Sequence, residues 1–155
     1  MAMALFGAGC FWGVEAAFRR MSGITSTAAG YSGGNVDRPT YEGVCSGTTG
    51  HAEVVLVEYN PARITYRELL DLFWSIHNPS RRFPQEHRGQ YRSAIFYFDE
   101  EQAAEARASR HRLQSSGRYE QEIATEIDPA TQFWRAEECH QQYEAKRRRH
   151  LGGRH

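Results

Sequence analysis

The chain reads as an α+β two-layer sandwich, a mixed β-sheet with packed helices. Three observations predict this. Strand-like and helix-like segments alternate along its 155 residues, their order mixes hairpin-like with crossover connections, and no repeat or linker divides the chain. The length suits one domain with a real core.

In order, Ala4 to Phe6 is a short buried strand ending in small residues. Phe11 to Met21 is a helix, with Phe11, Val14, Glu15 and Phe18 at helical spacing and Ser22-Gly23 as its stop. Ile24 to Tyr31, rich in Thr and small residues, is a strand that runs into Ser32-Gly33-Gly34-Asn35. Tyr41 to Cys45 is a helical turn before a second glycine-bearing loop, 46–50. Ala52 to Tyr59 alternates and is β-branched, a strand.

Thr65 and Glu68 form a capping box for a helix striped with Leu69, Leu70, Leu72, Phe73 and Ile76, and His77-Asn78-Pro79 stops it. A polar loop leads to the aromatic strand Tyr91 to Phe98. Asp99 caps a polar helix, Glu100 to Ser115, which Gly117 ends. Glu122 to Ile127 is a last strand, and a short helix is expected around Ala136 to Arg147. Residues 148–155 are expected as a flexible tail. The order βαββαβαβ fits a ferredoxin-like core.

Lys+Arg and Asp+Glu number 19 each, so no global charge steers the protein to nucleic acid or an anionic membrane. The run Lys146-Arg147-Arg148-Arg149-His150 reads as a solvated helix face or frayed tail. No stretch reaches the about 18 apolar residues of a membrane span, and no charged segment precedes an apolar one at the start. The expected location is the cytoplasm, and the expected state a monomer. Three widely spaced cysteines without a Cys-x-x-Cys fit individual thiols in a reducing compartment, not a disulfide scaffold or a zinc site.

Cys10 carries the most chemistry. Two small residues precede it and Phe11-Trp12 follow, so the thiol opens a helix where unpaired N–H groups and the macrodipole favour the thiolate. The two aromatic side chains offer an apolar wall to a small substrate group. The other reading of Cys10 is a buried core thiol.

Glu53 stands second on its strand. If it faces Cys10, desolvation raises its pKa and makes it a proton donor near neutrality. His51 reads as a base for Cys10 or as a hydrogen-bonding scaffold residue, and with Glu86 it is a candidate substrate-binding residue. Tyr41 and Tyr91, each after a loop, could aim two hydroxyls at one substrate oxygen. Glu86 and His87 precede Tyr91 in the polar loop.

Gly-Cys-Phe-Trp-Gly at 9–13, Gly-Tyr-Ser-Gly-Gly at 30–34, Gly-His-Ala-Glu at 50–53, Gln-Tyr-Arg-Ser-Ala at 90–94 and His-Gln-Gln-Tyr at 140–143 stand in this order. Together they resemble peptide methionine sulfoxide reductase of the A type, over nearly the whole chain. The resemblance implies one catalytic domain, 1–155, that reduces methionine S-sulfoxide, free or in proteins. Thioredoxin or another thiol would be the reductant, with no bound cofactor or metal. By position, Cys10 is the nucleophile, Glu53 the acid on the sulfoxide oxygen, and Tyr41 and Tyr91 the hydroxyls that hold it. Phe11 and Trp12 form the methyl pocket.

The residue chemistry agrees. A sulfoxide sulfur resists attack unless its oxygen is protonated or strongly hydrogen-bonded, so thiolate and acid must act together. Cys10 would finish as a sulfenic acid.

Three departures from the family pattern stand out. The family's Asp-x-Gly-Thr-Gln-Tyr run is here Glu86-His87-Arg88-Gly89-Gln90-Tyr91, after a shorter loop, with Glu86 in place of the aspartate. The tail 151–155 lacks the resolving cysteines of many members. Cys139 precedes His140, where a non-cysteine is usual. Cys139 is then either the resolving cysteine or a buried thiol, and Cys45 a structural cysteine or a second resolving candidate. Two rival functions remain open from the residues alone: a cysteine hydrolase on Cys10 and His51, and a non-catalytic methionine-sulfoxide-binding module.

Overall fold

Six strands form one sheet: β1 (Ala2–Ala8), β2 (Ile24–Ser32), β3 (Ala52–Tyr59), β4 (Ser93–Tyr97), β5 (Glu126–Pro129) and β6 (Trp134–Arg135). The computed structural model describes residues 1–81 and 89–152, and of 150–152 the backbone only. The spatial order is β5-β4-β1-β3-β2-β6. Only β4 and β5 pair in parallel, so the sheet is mixed. Its inner four strands, crossed by α1 (Phe11–Arg19) and α3 (Tyr66–Ser75), make the ferredoxin-like core. Among the described residues no helix is long and apolar enough to cross a membrane.

Strand alternation sorts the side chains. Ala4, Phe6 and Ala8 of β1 and Val55, Val57 and Tyr59 of β3 join Phe18, Leu69, Leu70 and Phe73 in the main core. Phe6 stacks on Phe18 and Phe73, each ring centroid 5.2 Å away. Each such side chain contributes about 1.5–3 kcal/mol by leaving water. Leu5, Val54, Ala94 and Phe96 form a smaller cluster on the opposite face. Glu53, two positions before Val55, therefore points to the helix-covered side.

The strand β3, the turn α2 (Tyr41–Cys45) and α4 (Glu100–Ser115) stand where the sequence puts them. Thr65 Oγ1 accepts from the Glu68 N–H and Glu68 Oε1 accepts from the Thr65 N–H, completing the capping box. Asp99 Oδ1 accepts from the Gln102 N–H at the start of α4.

Elsewhere tertiary contacts move the boundaries. The first strand is longer than expected, because both its neighbours extend the ladder. β4 begins at Ser93 instead of Tyr91: Gly89 takes φ 88° and accepts from the Arg92 N–H, folding 89–92 into a turn. The last expected strand shifts from 122–127 to Glu126–Pro129. Ile123 N–H donates to the Gln114 side chain and Ala124 N–H to the Pro79 carbonyl, which takes both off the ladder.

The helix expected around 136–147 is broken in two, a 3₁₀ turn (Glu138–His140) and α5 (Tyr143–Gly152), with Gln142 at φ 52° between them. The Gln141 amide is buried and bonds the N–H and carbonyl of Ala29 at 2.9 and 2.8 Å. Gln142 N–H donates to the buried Glu15 carboxylate at 2.7 Å. These bonds to α1 and β2 outweigh helix continuation, a tertiary override of local preference. α5 also stays helical through Gly152, where a flexible tail was expected from 148; residues 153–155 lie outside the described residues.

Candidate active site

β1 runs antiparallel to both β3 and β4, so the end of β1 meets the starts of its two neighbours. Gly9, at φ 103°, turns the chain out of β1, and Cys10 becomes the N-cap of α1 with extended backbone (φ −60°, ψ 123°). The thiol is open to solvent and receives the N–H groups of Trp12 and Gly13. Its pKa is nevertheless raised. Desolvation by the surrounding protein is the largest cause and the charge of Glu53 adds to it, while the two N–H groups pull the other way. The expected low-pKa thiolate is thus corrected: the resting group is a thiol, because burial and a neighbouring carboxylate outweigh the helix start.

Glu53 is 1% exposed. Its Oε1 accepts the Phe11 N–H at 3.2 Å, one residue beyond the thiol. Its Oε2 accepts the Gln90 side-chain amide, and its own N–H donates to the Gln90 carbonyl at 2.8 Å. Burial pushes the carboxyl up to about 7, against the lowering effect of the bonds from Gln90 and Phe11. An acid of that strength exchanges its proton near neutral pH.

The Gln90 amide also donates to Cys45 Sγ at 3.0 Å. Cys45, exposed at the end of α2, is hydrogen-bonded to Tyr41, and Tyr41 to Tyr91. Burial, with Cys45 next in weight, raises the Tyr41 hydroxyl; burial and then the charges of Glu53 and Cys10 raise that of Tyr91. Both phenols are neutral donors at physiological pH. Tyr91 is 38% exposed, in the turn ahead of β4 and not inside a buried strand. Cys10, Glu53, Tyr41 and Tyr91 thus share one electrostatic neighbourhood, as the sequence suggested. Gln90 did not announce itself: only its place beside Tyr91 in a quoted motif marked it.

Of the two aromatic residues after Cys10, Phe11 is buried and packs on Tyr31, Tyr41 and His140, while Trp12 keeps part of its surface open. Trp12 Nε1 donates to His140 Nδ1 at 3.0 Å, and its ring stacks on Tyr143 at 3.9 Å between centroids. His140 in turn lies 4.4 Å from the Tyr41 ring. Glu137 accepts the Tyr31 hydroxyl at 2.9 Å and the Tyr41 N–H at 3.0 Å. Burial presses the Glu137 carboxyl upward, but these bonds outweigh it and leave it below the usual carboxylate value. The sequence alone assigned no role to Glu137, His140 or Tyr143, although the last two begin and end the motif at 140–143.

His51 is corrected as a substrate-binding residue. It is 2% exposed, Nδ1 accepts the Gly34 N–H at 3.0 Å, and Nε2 bonds the Val36 carbonyl at 2.7 Å. Both ring nitrogens hold the 33–36 loop, so neither faces a substrate or Cys10. Gly34 has no room for a side chain there, since a Cβ would lie 2.4 Å from both the His51 backbone nitrogen and the Thr49 carbonyl oxygen. Glu86 lies outside the described residues. Cys139 is exposed, which removes the buried-thiol reading. Among the described residues no three of His, Cys, Asp and Glu gather as metal ligands. A cleft opens beside Cys10, walled by Gly9, His77, Asn78, Tyr91 and Ser93. His77 bonds the Phe73 carbonyl and Ser93 Oγ, and burial lowers its pKa, so it stands there neutral.

The arrangement gives a thiol, a buried acid poised near neutrality and two phenol donors around one small space. A sequence profile described as "Peptide methionine sulfoxide reductase" matches residues 2–152. Peptide methionine sulfoxide reductase MsrA of Methanoculleus marisnigri is 56% identical over 146 residues, 93% of this chain and 89% of that protein. Reduced Mxr1 of Saccharomyces cerevisiae superposes with a TM-score of 0.84 at 35% identity, covering 94% of this chain and 84% of that one. Mxr1 in complex with Trx2 superposes at 0.66, with 30% identity over 92% of this chain and 84% of that one. The chain belongs to the peptide methionine sulfoxide reductase family.

Proposed function

We propose that this chain reduces methionine S-sulfoxide to methionine, with Cys10 as nucleophile and Glu53 as proton donor. The observation that carries the reading is the Glu53 carboxyl, buried, held by the N–H next to Cys10 and raised to about 7. The Tyr41 and Tyr91 hydroxyls hold the sulfoxide oxygen, and the open face of Trp12, backed by Phe11, receives the methyl group. Glu53 gives its proton to that oxygen, and the proton leaving the Cys10 thiol returns the buried carboxyl to its neutral form. The Cys10 sulfur attacks the sulfoxide sulfur, an S–S bond forms, and the protonated oxygen leaves as hydroxide as the S–O bond breaks. That hydroxide attacks the Cys10 sulfur, the S–S bond breaks with its electron pair on methionine, which leaves, and Cys10 holds the oxygen as a sulfenic acid. Protons balance: the one on the thiol becomes the one on the sulfenic acid.

A second thiol then attacks Cys10, forming a disulfide and releasing water. Cys139 is the resolving residue in this reading, since its thiol is exposed next to the His140 ring that packs on the site. Cys45 already serves as acceptor to Gln90 and partner to Tyr41, and is the alternative. Thioredoxin reduces the disulfide, a partner suggested by the Mxr1 complex with Trx2. Three unpaired cysteines suit the cytoplasm, where the chain would act as a monomeric, single catalytic domain.

The experiment is single-turnover reduction of methionine S-sulfoxide by Cys10→Ser. No methionine is expected; wild-type-like turnover would refute the nucleophile. The hydrolase alternative loses its base, because both nitrogens of His51 are engaged by backbone.

A further inference from the structure

A groove runs between α1 and α5, lined by Trp12, Ala16, Arg19, Arg20, Glu144 and Arg148. The three arginine side chains are exposed, and none takes part in an ion pair or hydrogen bond among the described residues. The whole chain carries no net charge, so three unanswered cations along one groove are a local feature. Arg148 also belongs to the basic run 146–150, which the reductase chemistry does not use.

One end of the groove lies beside the start of α1, where Trp12 follows Cys10 by two residues. Trp12 lines the groove and is the wall proposed above for the methyl group, and the charge of Glu144, also in the groove, reaches the Cys10 thiol and helps raise its pKa. From there the groove leads along α1 to Arg19 and Arg20. Arg19 lies two turns beyond Trp12, about 10 Å along the helix axis. An extended peptide covers that distance in about three residues.

We propose that this groove selects protein substrates bearing an acidic side chain about three positions from the oxidised methionine, whose carboxylate it seats among Arg19, Arg20 and Arg148. The inference rests on the reductase reading above and names the substrate class that the site prefers. Glu144 sits at the thiol end, so the guanidinium cluster presents its charge to a neighbouring side chain and not to the sulfoxide. Planar guanidinium groups suit a carboxylate through paired hydrogen bonds. Exposed pairs of this kind are individually weak, so the gain comes from several cations acting on one anion and fades with salt.

The test compares neutral-ended peptides of one methionine S-sulfoxide flanked at three positions, before or after, by Asp or by Asn. For the wild type, kcat/KM is expected to favour one Asp peptide about three- to tenfold at low ionic strength, with the preference shrinking in 0.5 M salt, where the Debye length is about 4 Å against about 30 Å at 0.01 M. In Arg19→Gln/Arg20→Gln/Arg148→Gln the ratio is expected to fall to about one. Turnover of N-acetyl methionine S-sulfoxide methyl ester, uncharged and too short for the groove, reports separately on the reductase reading. Single Arg148→Gln, an exposed change, reads the same ratio should the triple variant fold poorly. Equal rates for Asp and Asn peptides in the wild type would overturn the proposal, as would a preference that survives the arginine changes.

Discussion

Glu53 and Gln90 grip each other twice, backbone to backbone at 2.8 Å and side-chain amide to carboxylate. The first bond extends the start of β3 to the turn ahead of β4. The second aims the carboxylate at the N-terminus of α1. One residue thus sets both the position of the acid and part of its proton affinity.

Replacing Gln90 by Leu removes the donor that favours ionised Glu53. The carboxyl is expected to titrate above about 7, its wild-type value, because the opposing burial remains. The alkaline limb of the single-turnover pH profile should move upward, while the rate at its plateau falls as the carboxyl loses its aim. An unshifted limb would mean that Glu53 does not govern it.

Glu53→Gln should slow sulfoxide reduction by about 10²-fold or more, since an amide cannot donate the required proton, and Glu53→Asp should retain more activity. Equal single-turnover rates for the two variants would exclude the acid role.

The same residue costs stability. Its folded pKa is raised from 4.5 to about 7. The unfolded chain therefore ionises first as pH rises, and the protein loses stability between those values and stays lower above them. Glu53→Gln should exceed the wild type by about 2 to 3 kcal/mol at pH 8, with the gap closing below pH 4.5. Urea melts of the two proteins across that range would measure it.

One equivalent of methionine S-sulfoxide should leave one of the three free thiols titratable in the wild type, the other two forming the Cys10–Cys139 bond. In Cys139→Ser the Cys10 sulfenic acid should persist and react with dimedone, unless Cys45 takes over. Mass spectrometry of the linked peptides separates these outcomes.

His51→Ala should destabilise the fold by about 1–3 kcal/mol, because the Gly34 N–H and the Val36 carbonyl lose their partner. The folded fraction should keep sulfoxide turnover within about threefold of the wild type, well short of the loss expected for a missing general base. A rate collapse without loss of melting temperature would restore a chemical role to the imidazole.

Local chemistry made much of this legible in advance. The capping box at Thr65, the cap at Asp99 and the alternation of Ala52–Tyr59 depend on neighbours in sequence, and each stands where expected. Cys10 was readable for a related reason, since it follows a strand into a helix, whereas the side that Glu53 faces was not, because Val54 and Leu56 are as apolar as Val55 and Val57. What stayed hidden depends on distant partners. The break at Gln142 comes from Glu15 and Gln141, more than a hundred residues from their counterparts in the first case and in the bonds to Ala29. The raised thiol pKa likewise comes from atoms that other elements pack around Cys10.

The ladder joining β1 to β3 pairs Phe6 with Val55 and runs without a bulge. Sliding it by a single position would swing the carboxyl to the opposite side of the sheet, where Val54 now lies. Chemistry in this enzyme is therefore tied to the most deeply embedded pairing it has, and rising urea should extinguish turnover and β-structure in one cooperative step.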